Sequence, residues 1–215
     1  MKGTIMESIV QAKRVLEIFK EMSQIPRESG NEKGISDYIV NFAKNLGLEV
    51  HQDDQFNVVI KKPASPGYEN RPSIILQGHI DMVCVRDHDS NHDFSKDPIA
   101  NIIEGEWMHA DHTTLGADNG MGGAMMLAIL EDDSQQHGPM QLLFTTNEET
   151  GMDGAFAIKE GQVSGDYLLN LDTEVEHDFT VSCAGGCHVH VNIPLLRENN
   201  QPGYNAGLSF TVTGL

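Results

Sequence analysis

Positive charge is scarce in this chain. Fourteen lysines and arginines stand against 32 aspartates and glutamates, a formal net charge of −18 with a pI near 4.7. A phosphate backbone is gripped through clustered Lys and Arg, so this balance argues against a nucleic-acid partner. It argues equally against a polybasic membrane contact. Long apolar runs are missing too: nothing approaches the ~20 residues of a membrane span. The N-terminal MKGTIMESIVQAKRV lacks the continuous apolar stretch of a secretion signal. Only three cysteines occur, Cys84, Cys183 and Cys187; they cannot all pair, which points to a reducing cytoplasm. What is present is 39% hydrophobic residues, 21 glycines and 8 prolines in 215 residues, a composition that folds rather than staying disordered. The length suits one sizeable core and an appendage.

Apolar side chains at Ile9, Ala12, Leu16 and Phe19 have helical spacing over residues 6–22. After Pro26, Ser29-Gly30-Asn31-Glu32 reads as the opening of a second helix that reaches Leu46 and stops at Gly47. Val50 to Lys61 reads as a strand or hairpin. Three short β-rich apolar runs follow, at 73–77 (SIILQ), 141–146 (QLLFTT) and 167–171 (YLLNL), each with the pattern of a buried strand. Helical patterns at 119–131 and 151–160 separate them. Parallel strands need crossovers that cover the sheet face, so the fold class expected is α/β, a mostly parallel sheet flanked by helices. Beyond Gly185-Gly186 the pattern changes. Cys187, Val189, Val191, Ile193 and Leu195 alternate with His188, His190, Asn192 and Pro194, and 209–213 alternates again, as in the first hairpin of a separate antiparallel unit. The division expected is residues 1–186, the N-terminal part of one domain, and 187–215, the beginning of another.

The acids and histidines fall where chemistry is expected. Functional groups in open α/β sheets gather beyond the carboxyl ends of strands. Run 73–77 is followed by Gly78-His79-Ile80-Asp81, run 141–146 by Asn147-Glu148-Glu149, and run 167–171 by Asp172, while Asp118 opens the glycine-rich helix. Carboxylates brought together repel one another unless a cation sits among them. One imidazole among oxygen ligands suits zinc or manganese. A bridging carboxylate can hold two such ions ~3.5–4 Å apart around one shared water. His79 and Asp81, two apart on an extended segment, point to the same side, so Asp81 can accept the second N–H of a ligating His79. Adjacent Glu148 and Glu149 would diverge, leaving one to bind metal and the other free as a general base. Cys183, Cys187, His188 and His190 look like a cluster, but alternation along a strand would separate them, and buried thiols beside exposed histidines are the plainer reading. His88, His92, His109 and His112 read as surface loop residues, and Met121, Met125 and Met126 as core filler. Gly120-x-Gly122-Gly123 is not a dinucleotide fingerprint, because no strand precedes it directly and the spacing differs.

These residues resemble the aminoacyl-histidine (Xaa-His) dipeptidases, a branch of the co-catalytic zinc metallopeptidases that also include aminoacylases and glutamate carboxypeptidases. The resemblance is carried by LQGHIDMV (76–83), HDFSKDPI (92–99), TTLGADNG (113–120), EETGMDGA (148–155), NLDT (170–173) and CAGG (183–186). It implies a zinc-exopeptidase-like catalytic domain followed by the first strands of an α+β lid domain, using two divalent ions, zinc foremost, with manganese or cobalt as alternatives. His79 and Asp172 would hold one ion, Glu149 the other, and Asp118 would bridge them, with a cis peptide bond to Asn119. Glu148 would be the general base and Asp81 would orient His79. The substrates implied are small dipeptides, preferentially Xaa-His, cleaved by a water that the metal pair activates. Rival readings are another hydrolase of the same clan (a non-specific dipeptidase, deacylase or aminopeptidase) or a non-catalytic fragment or binding module. Relatives of this type are roughly twice as long, place a further histidine ligand after a completed lid, and pair through that lid as homodimers. The 215-residue chain alone is therefore expected to have little or no activity.

Overall fold

A computed structural model describes residues 2–173, 175, 178–182, 185 and 191–194. Two helices open the chain: α1 (Lys2–Met22) and α2 (Lys33–Asn45). A hairpin of β1 (Glu49–Gln52) and β2 (Val58–Lys62) follows, then β3 (Ile74–His79). Next come β4 (Asn101–Glu104), β5 (Trp107–Ala110), α3 (Ala117–Glu131), β6 (Met140–Thr145), α4 (Asp153–Ala157) and β7 (Tyr167–Asn170).

Five strands form one sheet in the order β1-β2-β6-β3-β7, and β4 and β5 form a separate two-stranded antiparallel sheet. The sheet is mixed. β3 pairs in parallel with β6 and with β7, as the intervening helical patterns imply, whereas β2 pairs antiparallel with both β1 and β6. The strand runs are legible in sequence because both faces of the inner strands are apolar. Val58, Ile60, Leu76, Leu142 and Phe144 point into a core shared with Ile18, Phe19 and Met22 of α1, Ile35 and Ile39 of α2, and Met126, Leu127 and Leu130 of α3. Val59, Ile75 and Leu143 point the other way, against Ile158 and Val163. Such two-sided burial gives continuous apolar runs instead of alternation.

β7 departs from that expectation. Tyr167, Leu168 and Leu169 are 62%, 55% and 44% exposed, because among the described residues β7 is an edge strand paired on its β3 side alone. An apolar run reports strand formation but not how many neighbours cover it. The β4–β5 hairpin is a second difference: its strands lie in a stretch that carries no strand pattern in sequence, and none of their residues is fully buried.

The chain divides into two units, residues 1–176 and 177–215. The described residues of the second, 178–182, 185 and 191–194, form no regular secondary structure. Cys183, Cys187, His188, His190 and the alternating segment at 209–213 lie outside the described residues.

Candidate metal centre

Chain order makes β3 the focus of the sheet. After β3 the chain crosses to β6 on one side, then passes back over to β7 on the other. The loops leaving these three parallel strands therefore open apart around the carboxyl end of β3, a topological switch point of the kind where open α/β sheets bind ligands. His79 is the last residue of β3 and its side chain is 1% exposed.

Both imidazole nitrogens of His79 are engaged. Nδ1 faces Asp81 Oδ1 at 3.2 Å; Nε2 faces Asp118 Oδ1 at 3.1 Å, with Asp172 Oδ2 at 3.8 Å and Glu148 Oε2 at 4.0 Å. Asp118 enters at the kinked start of α3, where Asp118 and Asn119 leave helical geometry and share a cis peptide bond. The glycines of that helix let it approach closely. A Cβ on Gly78 of β3 would stand 2.9 Å from Asn119 Oδ1, and one on Gly122 would overlap the same oxygen. Close packing against β3 and α1 is what these glycines allow.

Asp81 is wholly buried and joins the two halves of the site. Besides His79 it accepts the Ser29 hydroxyl at 2.8 Å, the Glu148 N–H at 3.1 Å and the Glu149 N–H at 3.2 Å. Burial alone would raise its pKa, but the bonds from His79, Ser29 and the Glu148 N–H outweigh it and hold the carboxylate below its usual range. For His79 burial works downward, yet Asp81, Asp172 and Asp118 outweigh it and lift the imidazole to about 9. The other acids move up: Asp118 through burial and the neighbouring Asp172, Glu148 through burial, Glu149 through burial and Asp118.

Two triplets have donor atoms within 4.8 Å of one another: His79 with Asp118 and Asp172, and His79 with Glu148 and Glu149. Each offers one nitrogen and two carboxylate oxygens. The donor set fits divalent ions, since carboxylates crowded until their pKa values rise are relieved by a cation. Glu148 and Glu149 do not diverge as extended neighbours would. They sit in a turn after Asn147, whose φ is +56°, and in a turn successive side chains need not alternate. Of the surface histidines, His88, His109 and His112 are exposed, although His109 lies on β5; His92 is half-buried with Nε2 unpartnered. Met126 is in the core, Met121 packs against it, and Met125 is 45% exposed.

The loop between α1 and α2 is the part of the site that sequence reasoning missed. Ser29 does not cap α2; its hydroxyl goes to Asp81. Glu32 Oε1 instead accepts the N–H of Gly30 at 2.9 Å and of Asn147 at 3.0 Å, steadying the Glu148–Glu149 turn. Arg27 is 2% exposed and sends Nη1 to the carbonyls of Ile80 (3.2 Å) and Asp81 (3.1 Å) and Nη2 to that of Gly116. Burial pulls this guanidinium down to about 10. The available signal was Arg-x-Ser-Gly-Asn-Glu, a polar string between two amphipathic helices that is richer than a helix cap requires.

Residues 75–203 match the model of Peptidase family M20/M25/M40, and the chain belongs to that family. It is 44% identical over 199 residues to the cytosol non-specific dipeptidase of Escherichia coli (strain K12), covering 93% of this chain and 41% of that protein. Among solved structures, it resembles the aminoacylhistidine dipeptidase of Vibrio alginolyticus with a TM-score of 0.74 and 47% identity, over 76% of this chain and 33% of that one. A tripeptidase of Staphylococcus aureus follows with a TM-score of 0.64 and 26% identity, over 76% of this chain and 44% of that one. The chain thus spans less than half the length of these relatives. Among the described residues no helix is long and apolar enough to cross a membrane.

Proposed function

We propose that the site serves metal-dependent hydrolysis of dipeptides, preferentially Xaa-His, in the cytoplasm. The observation that carries this reading is His79, whose Nδ1 is held by Asp81 while Nε2 is presented to Asp118, Asp172 and Glu148. The names of the E. coli and Vibrio relatives agree with a dipeptidase. In this reading His79 and Asp172 would hold one divalent ion and Glu149 the other, with Asp118 serving as the shared ligand; zinc is the favoured metal, with manganese or cobalt as alternatives. Bound ions supply positive charge that acidifies water and polarises a carbonyl.

Glu148 takes the proton of the attacking water as oxygen bonds to the peptide carbon. It then returns that proton to the amine nitrogen as the C–N bond breaks. A carboxyl raised by burial is better matched to this exchange near neutral pH than an ordinary one. Asp81 keeps the imidazole oriented, and the acidic rim favours a free N-terminal ammonium over a blocked one. In this reading residues 1–186 make up the catalytic part, reaching past the end of the first compact unit at residue 176, and 187–215 the start of a lid.

Calorimetric titration of Zn²⁺ or Mn²⁺ tests the ion-holding role. Uptake that falls in His79→Ala and Asp118→Ala supports it, and a folded chain that takes up no ion refutes it. Glu148→Gln should keep full uptake and Glu149→Gln should lose one of the two ions, which separates base from ligand. A panel of free and blocked dipeptides tests the substrate class, read on a protein of the relatives' full length because little turnover is expected of the 215-residue chain alone. Cleavage of blocked substrates alone would move the assignment to a deacylase.

A further inference from the structure

Two buried cations in this fold bind main-chain carbonyls, and they do so differently. Lys62, 6% exposed, sends Nζ to the carbonyls of Ile129, Leu130 and Asp132 at 2.8, 3.1 and 2.9 Å. All three acceptors lie at the C-terminal end of α3, so Lys62 is a helix cap. The acceptors of Arg27 belong to two separate segments. Ile80 and Asp81 follow β3 and carry the His79–Asp81 pair; Gly116 precedes α3 and leads into Asp118. The Arg27 carbonyl accepts the Met82 N–H at 3.1 Å, fastening the first segment a second time.

Among the described residues Arg27 forms no ion pair, and its Nε has no partner. The Asp81 and Asp118 carboxylates act on its charge without touching it, so charge and fork have to be separated by a variant that keeps the first and loses the second. Space around the fork is also kept clear. A Cβ on Gly120 would stand 2.7 Å from Nη2, and one on Gly116 would overlap it. The planar fork reaches carbonyls in two directions at once, which a lysine ammonium on the same stem does not.

We propose that Arg27 is a positioning residue for the metal centre, its fork setting the separation between the segment that carries His79 and the segment that carries Asp118. This rests on the metal-binding reading above. The 3.1 Å approach of His79 Nε2 to Asp118 Oδ1 is the distance it governs. Loss of such support around a metal site costs ~10–100-fold in affinity.

The test compares Zn²⁺ affinity by calorimetry and the visible spectrum of bound Co²⁺ in the unaltered chain, Arg27→Lys, Gly120→Ala and Lys62→Met, with folding checked by circular dichroism. Arg27→Lys keeps the charge and removes the fork; Gly120→Ala keeps the arginine and displaces it. Both are expected to weaken Zn²⁺ binding about 10–100-fold and to change the Co²⁺ spectrum. Lys62→Met is expected to lower thermal stability with affinity unchanged. Should Arg27→Lys not fold, Gly120→Ala decides through unaltered affinity, which overturns the role. Its Cβ would also stand 2.9 Å from Phe19 Cε2, so a loss there is not the fork's alone. Unaltered affinity in either folded variant at the Arg27 contact overturns the positioning role. An unaltered chain that takes up no ion overturns the metal reading itself.

Discussion

Ser29, in the loop before α2, donates its hydroxyl to Asp81 Oδ2 at 2.8 Å across 52 residues of chain. Asp81 accepts three other bonds, including one with His79, so the orientation of a candidate ligand depends on a loop remote in sequence. Asp81→Asn exchanges one acceptor oxygen for a donor and leaves at least one of these N–H or O–H groups unpaired. Zn²⁺ affinity should fall about 10–100-fold, measured by calorimetry. Ser29→Ala removes one hydrogen bond to a charged group and should cost about 1.5–3 kcal/mol in denaturant unfolding. Unchanged stability in Ser29→Ala would show that the bond contributes nothing.

Metal uptake should be coupled to proton release. Metal-free His79, lifted to about 9, is protonated at neutral pH and must lose its proton to coordinate. Titrations in buffers of different ionisation enthalpy should report release on the order of one proton at pH 7.5. Absence of buffer dependence would contradict the raised value.

The same shift has a stability consequence in the metal-free chain. Because the folded value lies above the ordinary 6.5, the contribution is fully present below pH 6.5 and is lost as pH rises through about 9. The raised acids Asp118, Glu148 and Glu149 act with the same sign, each weakening the fold as pH climbs from its ordinary value of 3.8, 4.5 or 4.5 toward its raised one, so the His79 share is read from the substitution. Melting temperature measured from pH 6 to 9.5 should decline, and His79→Gln should flatten that decline. A slope unaltered by the substitution would assign the effect elsewhere.

Lys62→Met should destabilise the fold by about 1–3 kcal/mol, because carbonyls at the end of α3 lose their donor. Thermal unfolding measures this. Stability equal to the unaltered protein would mean that water or the frayed helix end satisfies those carbonyls.

Gly78→Ala should weaken Zn²⁺ binding. The new Cβ, 2.9 Å from Asn119 Oδ1, has to displace a side chain wedged beside Asp118. Calorimetry reads the effect, and unchanged affinity would show that Asn119 moves without disturbing its neighbour.

Much of the architecture is legible from local pattern. β3 and β6 are apolar on both faces and sit between helical periodicities, and the acids follow directly after the strands, so the parallel core and the residues at its rim can be named without coordinates. The β4–β5 hairpin is not legible, because its strands bury too little to leave a hydrophobic period. Nor is the exposure of β7, since an edge strand and an inner strand can share one apolar composition.

Sequence alone determined which side chains are available and where along each strand or helix they emerge, because period and turn chemistry are local. Only the tertiary structure decided that Arg27, Ser29 and Glu32 brace the segments bearing His79, Asp118 and Glu148. It also decided that Glu148 and Glu149 converge on one imidazole. Hydrogen bonds between residues dozens of positions apart depend on how the layers pack, and packing is a property of the whole chain rather than of any stretch of it.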